Sequence, residues 1–364
     1  MMKAAAEDPV GDLGGDGATV GGYADATRRA AVFDRSHRTR LVVRGRAPGA
    51  MLKGILTGTI PPGPEWVADG IVGGRARYSA VLTPKGKMIT DVWVTLQGDE
   101  AEDGFLLDVP AAGREGLLAH LGRFLPPRMA RVDDASGRTA TISVVGPDAA
   151  PALSRLALGL RVEAEELAAL EEGEWRATAA APADGSPRVG DALVVMRTLD
   201  VWPEAFDVTG PAGAVSALAR ALVAAGVPPA EEEVWSTLRV EAGRPAFGAD
   251  MDERTIPVEA GIHERAIDYE KGCYTGQEVI VRIRDRGHVN RSLRRVHLGD
   301  VPVPASGAEL FVRGRPERSA GRVTSAVWSP RFGEVVALAY VRRGVEEDEA
   351  LEVTAPPVGR EDRA

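Results

Sequence analysis

Apolar positions along the chain follow two spacings, one suited to helices and one to strands. Leu41-Val42-Val43 is a short strand-type run. Pro48 then suits a first helical turn, and Met51, Leu52, Ile55 and Leu56 form a helical stripe. Arg75 to Leu82 and Met88 to Leu96 read as two strands, and the Pro84-Lys85-Gly86 turn between them predicts a hairpin. Leu117, Leu118, Leu121 and Leu125 mark a helix that Pro126-Pro127 stops. Thr139 to Val145 reads as a strand, Val162 to Leu170 as an acidic surface helix and Leu193 to Met196 as a buried strand. Val215, Leu218 and Leu222 mark a helix ended near Gly226. After about residue 292 the helical spacing disappears. Leu293–Leu298, Glu309–Val312, Gly321–Trp328, Val335–Val341 and Leu351–Thr354 are short runs punctuated by Gly and Pro, as in a small antiparallel barrel. The expected fold class is α+β, with a β-barrel domain following an α+β body.

Composition narrows the function classes. Of 364 residues, 44% are apolar and 27% charged, a globular balance, and no run approaches the ~20 apolar residues of a spanning helix. A net charge of −9 argues against a general nucleic-acid binder. The single cysteine excludes an intrachain disulfide and a chain-held iron–sulfur cluster, and it fits a reducing, cytoplasmic setting. The five histidines are scattered and give no helical metal pair. Residues 1–24 and 356–364 read as disordered tails, without the pattern of a secretory signal, and Ala180 to Gly190 reads as an exposed loop.

One segment carries most of the candidate chemistry: Lys271-Gly272-Cys273-Tyr274-Thr275-Gly276-Gln277-Glu278. Thr275 and Glu278 have capping-box spacing and predict a helix from Gly276 to Asp285, with Gly287 past its end and Val279 and Ile283 toward the core. The β-branched run Val279-Ile280-Val281 supports a rival strand. Cys273 would lie beside the positive helix end and Lys271, a setting that favours a thiolate; the alternative is a small packed hydrophobe. Tyr274 either stacks on a ligand or packs. On the Met88–Leu96 strand, Asp91 shares a face with Ile89 and Trp93, so it is either solvated or buried for a purpose. Six arginines between Arg282 and Arg295 form either a solvated face or a basic rim for a polyanion.

The Lys271–Glu278 segment resembles the signature of the YgfZ-type folate-binding proteins, relatives of the glycine-cleavage T-protein (aminomethyltransferase) that act in iron–sulfur cluster assembly. Leu238-Arg239-Val240-Glu241-Ala242-Gly243, Pro257-Val258-Glu259-Ala260-Gly261, Arg286-Gly287-His288-Val289 and the Leu82-Thr83-Pro84-Lys85-Gly86-Lys87 hairpin with Asp91 resemble further family motifs. The resemblance spans roughly residues 25 to 355. It implies a three-domain ring: two interleaved α+β folate-binding domains over 25–291, the second centred on 60–137, and a C-terminal antiparallel β-barrel over 292–355.

It also implies tetrahydrofolate as cofactor, with Asp91 and Cys273 as catalytic residues and Asp91, Arg239, Lys271, Tyr274 and Gln277 as folate contacts. Arg239 is either a folate-tail contact or a structural partner of Glu241 or Glu259. Departures from the T-protein pattern stand at Thr90, at Pro203-Glu204 and at Trp235. The function implied is tetrahydrofolate binding in assembly or repair of iron–sulfur proteins, with such proteins and folate as partners. The alternatives are folate-dependent aminomethyl transfer and a folate-free interaction scaffold.

Overall fold

The computed structural model describes residues 20–157, 162–178 and 185–353. Two antiparallel sheets share the first three-quarters of the chain, and the chain passes between them repeatedly. The seven-stranded first sheet takes Ala31–Asp34, Glu65–Ala68, Ile71–Arg75, Thr139–Val145, Glu174–Thr178, Val194–Thr198 and Ala205–Pro211. The five-stranded second sheet takes Thr39–Arg44, Arg77–Leu82, Met88–Leu96, Phe105–Val109 and Arg131–Asp134. This is the interleaved α+β arrangement that the T-protein resemblance implies.

Each sheet buries one face under a helix. Ile142, Val144, Phe206 and Val208 of the first sheet pack on Val215, Leu218 and Leu222 of the helix Ala212–Ala224. Val92, Val94, Phe105 and Leu107 of the second pack on Leu117 and Leu121 of the helix Arg114–Phe124. At ~1.5–3 kcal/mol for each fully buried aliphatic side chain, each of these layers adds several such contributions to the stability of the body. The third sheet orders Arg291–Gly299, Glu334–Arg342, Arg315–Ser329, Glu309–Val312 and Leu351–Val353 as hydrogen-bonded neighbours, and it curls into an antiparallel half-barrel.

The structure corrects several sequence expectations. The run Arg75 to Leu82 is two strands rather than one. Ile71–Arg75 belongs to the first sheet and Arg77–Leu82 to the second, and Ala76 is the crossing point. Residues 20–24 are helical rather than part of a tail: the helix Val20–Arg28 buries Tyr23 and Ala26. Its apolar signal is thinned by Gly22, whose missing side chain allows the helix to approach Ala230 (a Cβ would lie 3.3 Å from that methyl). The acidic helix is shorter than expected, Ala164–Ala168. Residues 1–19, 179–184 and 354–364, which include most of the expected tails and part of the expected loop, lie outside the described residues.

Candidate functional site

Hairpin register assembles the first part of the site. Across the Arg77–Leu82 and Met88–Leu96 strands, Tyr78 pairs with Trp93 and Ala80 with Asp91. Tyr78 and Asp91 are therefore diagonal neighbours on one face, within reach of a long side chain. The Tyr78 hydroxyl donates to Asp91 Oδ2 at 2.6 Å. Asp91 is only 8% exposed, and its buried Oδ1 has no hydrogen-bond partner among the described residues. Burial raises the Asp91 pKa; the Tyr78 bond and the Arg38 charge oppose this, and Asp200 reinforces it. Burial and the Asp91 charge likewise push the Tyr78 phenol well above its ordinary value.

Neighbouring elements add charges around this pair. Asp108 lies opposite Trp93 on the next strand and accepts from Arg38 at 2.5 Å. Asp200 accepts from Arg265 at 2.9 Å, and Glu172 pairs with the same guanidinium. The Arg265 guanidinium lies 4.6 Å from the Tyr78 ring centre and 6.0 Å from that of Trp93, a cation–π arrangement. On the first sheet Asp207 accepts from Ser143 at 2.5 Å. Burial pushes Asp207 up to about 6, against the Ser143 bond and with help from the Asp200 and Asp108 charges. Carboxylates and guanidiniums from both sheets thus act on one another electrostatically.

Tyr78 and Trp93 open on a cavity of about 520 Å3, lined also by Arg77, Glu172, Arg265 and Asp268. That volume suits a small-molecule ligand. Trp93 Nε1 and Arg77 Nε are buried donors without a partner among the described residues. The cavity wall therefore offers an aromatic surface edged by charged groups of both signs; Asp91, bonded to Tyr78, is not among the residues that line it. An aromatic wall edged by charged side chains suits a flat, polar ring.

The Lys271–Glu278 segment forms a hydrogen-bonded junction that begins one residue past the cavity lining. The Lys271 ammonium donates to the carbonyls of Lys53, Leu56 and Gly58 at 3.0, 2.7 and 2.6 Å, closing the C-terminal end of the helix Pro48–Lys53. Burial pulls the Lys271 pKa down to about 8; Asp268 opposes this and Lys53 adds to it. Tyr274 is buried, and its hydroxyl has no partner among the described residues.

The helix runs Gln277–Arg286 with Gly287 as its C-cap, so the helical reading holds and the strand reading falls. Two details differ from expectation. The N-cap is Gly276 at φ +84°, because a Cβ there would lie 2.6 Å from the Thr83 carbonyl oxygen; Thr275 instead reaches back to Gly54. The buried residue is Ile280, with Val279 and Ile283 only half-buried. Val279 packs on the hairpin turn, where a Cβ on Gly86 would meet it at 2.8 Å. The two segments singled out in the sequence, Leu82–Lys87 and Lys271–Glu278, are therefore in direct contact. Gln277 opens the helix, and its amide bonds the Tyr274 carbonyl at 3.2 Å. The cavity lining reaches Glu270, whereas Cys273, three residues on, is exposed.

Arg239 is engaged elsewhere. It donates to Asp250 Oδ2 at 2.5 Å, the Arg244 carbonyl at 2.8 Å and Ser325 Oγ at 3.0 Å, tying the helix Glu232–Glu241 to the half-barrel. Its partner is Asp250; Glu241 instead accepts from Tyr23 and Ser329, and Glu259 from Arg291. Glu204 pairs with Arg197, and Trp235 carries the Arg35 guanidinium 4.0 Å above its ring.

Sequence reading missed Tyr78, Arg38, Asp200, Asp207 and Arg265. Tyr78 had a usable signal, since the predicted hairpin sets it diagonal to Asp91. The others arrive from distant segments and left none. Among the described residues, no cluster of three His, Cys, Asp or Glu side chains could hold a metal, and no helix is long and apolar enough to cross a membrane.

Comparison with known proteins bears on this geometry. Residues 19–271 match the GCVT N-terminal domain, and residues 291–361 match the glycine cleavage T-protein C-terminal barrel domain. The aminomethyltransferase of Rubrobacter xylanophilus is 32% identical over 313 residues, 86% of this chain and 76% of that protein. That of Stenotrophomonas maltophilia (strain R551-3) is 30% identical over 318 residues, 87% of this chain and 79% of that protein. The crystal structure of glycine cleavage system aminomethyltransferase T from Bartonella henselae shares the fold, with a TM-score of 0.70 at 22% identity over 93% of this chain and 89% of that one. With both domains matched and the interleaved sheets in place, the chain belongs to the glycine-cleavage T-protein family.

Proposed function

We propose that this protein binds tetrahydrofolate in the cavity lined by Tyr78 and Trp93, next to Asp91, and, as a YgfZ-type member of its family, acts in the assembly or repair of iron–sulfur proteins. The observation that carries the folate reading is Asp91 Oδ1, a buried acceptor left without a partner beside Tyr78 and Trp93. Leaving such a group unpaired costs about 1–3 kcal/mol, which a ligand N–H would recover. Tyr78 fixes the carboxyl rotamer, Trp93 and Arg265 form the stacking wall, and the raised pKa of Asp91 suits it to hold a proton at the ligand edge. Bound tetrahydrofolate would supply a nitrogen that accepts a one-carbon unit. Lys271, Tyr274 and Gln277 shape the junction that presents Cys273, and Arg239 is a strut between helix and half-barrel. Cys273 contributes an exposed thiol for transient contact with a client protein or sulfur species.

Calorimetric titration with tetrahydrofolate tests the folate reading. Saturable binding is expected, with Asp91→Ala weaker by at least about tenfold, or ~1.4 kcal/mol. Absence of binding by the wild type overturns it. In cells, Cys273→Ala is expected to fold yet fail to support iron–sulfur enzymes; full support removes the thiol role.

A second reading, aminomethyl transfer to tetrahydrofolate, is favoured by the names of relatives 30–32% identical over most of the chain. Formation of methylenetetrahydrofolate from an aminomethyl donor by the purified protein would establish it.

A further inference from the structure

Lys271 lies one residue beyond the lining of the Tyr78–Trp93 cavity, yet it is bonded to that lining. An ammonium carries three N–H donors and no acceptor. Those of Lys271 go to three main-chain carbonyls, Lys53, Leu56 and the cavity-lining Gly58. None is left for a ligand, so its action on the cavity is indirect.

Gly58 is fitted closely to the strand that carries Tyr78. Its amide donates to Ser79 Oγ at 3.1 Å. A Cβ on it would lie 2.5 Å from that oxygen and 3.0 Å from the Tyr78 carbonyl oxygen. Thr57 is tied to the same strand. Its amide donates to the Ala80 carbonyl at 3.0 Å, and its hydroxyl accepts from the Ala80 amide at 2.8 Å. Its hydroxyl also donates to the Ala266 carbonyl, and its carbonyl accepts from the Asp268 amide. Among these ties only the Lys271 bonds carry a charge, and charge-assisted bonds are about twice as strong as neutral ones.

The charge also completes the set. A neutral amine has two N–H groups and a lone pair, so deprotonation breaks one of the three bonds and turns the lone pair toward a carbonyl oxygen. Burial, the main influence, and Lys53 bring the Lys271 pKa down to about 8 against the pull of Asp268; the Tyr274 ring lies 5.4 Å away.

We propose that Lys271 is a positioning residue for the cavity: its protonated ammonium fixes segment 53–58, holds the Gly58 wall against Tyr78 and makes ligand affinity depend on that one proton. The identity of the ligand rests on the folate reading above; the fastening of the wall does not.

Two measurements on the wild type, Lys271→Met and Lys271→Arg test this role. The first needs no ligand. At one pH, hydrogen–deuterium exchange at the Thr57, Gly58 and Ala80 amides is expected to be at least about tenfold faster in Lys271→Met, with the half-barrel strand Glu334–Arg342 unchanged. Lys271→Arg keeps the charge, but a planar guanidinium cannot direct three N–H groups from one nitrogen, so the wall is expected to loosen there too. The second is calorimetric titration with tetrahydrofolate from about pH 7 to about pH 9. Wild-type affinity is expected to fall by at least about threefold across that range, while Lys271→Met binds about tenfold more weakly at the lower pH and falls no further. The wild-type profile needs no variant, so a failure of Lys271→Met to fold leaves a test in place.

Unchanged exchange in both variants overturns the positioning role. Exchange that rises equally in the half-barrel also overturns it, since Lys271 would then be a general stabiliser. A wild-type affinity that holds steady with pH, or falls equally in Lys271→Met, overturns the dependence on the Lys271 proton. Faster local exchange without tetrahydrofolate binding by the wild type overturns the folate reading and leaves the fastening of the wall standing.

Discussion

Asp250 and Asp91 are both buried carboxylates, yet their surroundings differ. At the helix–barrel junction, Asp250 has both oxygens occupied. Oδ2 accepts from Arg239 and from the Ala246 amide, and Oδ1 accepts from Thr324. Next to the cavity, Asp91 has one oxygen held by the lining residue Tyr78 and the other without a partner among the described residues. A complete set of partners makes a buried acid a structural clamp. An incomplete set leaves an acceptor open to something that brings a donor.

The largest expected effect lies on the clamp. Arg239→Ala leaves Asp250 charged and buried, and it should lower unfolding stability by about 3–5 kcal/mol in urea denaturation. A loss near zero would mean that the junction contributes little and the contrast fails. The cavity acid should behave in the opposite way. Asp91→Asn removes a charge whose ionisation burial disfavours, so stability should stay within about 1 kcal/mol of wild type while tetrahydrofolate affinity drops. A variant that unfolds readily would assign Asp91 to the clamp class.

The smallest effect concerns Asp207. Its pKa, raised to about 6 from an ordinary 3.8, means that the folded chain holds this proton more tightly than the unfolded one. Its contribution to stability is present below 3.8 and is lost as pH rises through about 6. Asp207→Asn should therefore flatten the pH–stability profile across that window. An unaltered slope would show that Asp207 titrates as a solvated acid.

Local periodicity made much of the framework legible in the sequence. The hairpin, the helix ended at Pro126 and the strands of the half-barrel follow from it. What it could not show was set by close approach between distant segments. Thr275 had capping spacing, but the proximity of the Thr83 carbonyl makes Gly276 the cap. The partner of Arg239 lies 11 residues away, beyond a turn, where no helical or strand rule points. At the site, Asp91 stood out as a polar residue on an apolar strand. Arg38 and Asp200 lie in connecting segments and Arg265 on the four-residue helix His263–Ala266, where a charged residue is ordinary and draws no notice.

The crossing at Ala76 has a kinetic consequence. That residue joins a strand of one sheet directly to a strand of the other, and its amide is held by the Gly173 carbonyl at 2.8 Å. Gly173, at φ +80°, has no room for a side chain there, since a Cβ would lie 2.7 Å from the Ala76 carbonyl oxygen. With no slack between them, one sheet cannot peel away while the other stays closed. The amides of Ile71–Arg75 and Arg77–Leu82 should exchange with solvent deuterium together, as one cooperative unit, and the wall carrying Tyr78 should open only when that whole unit opens.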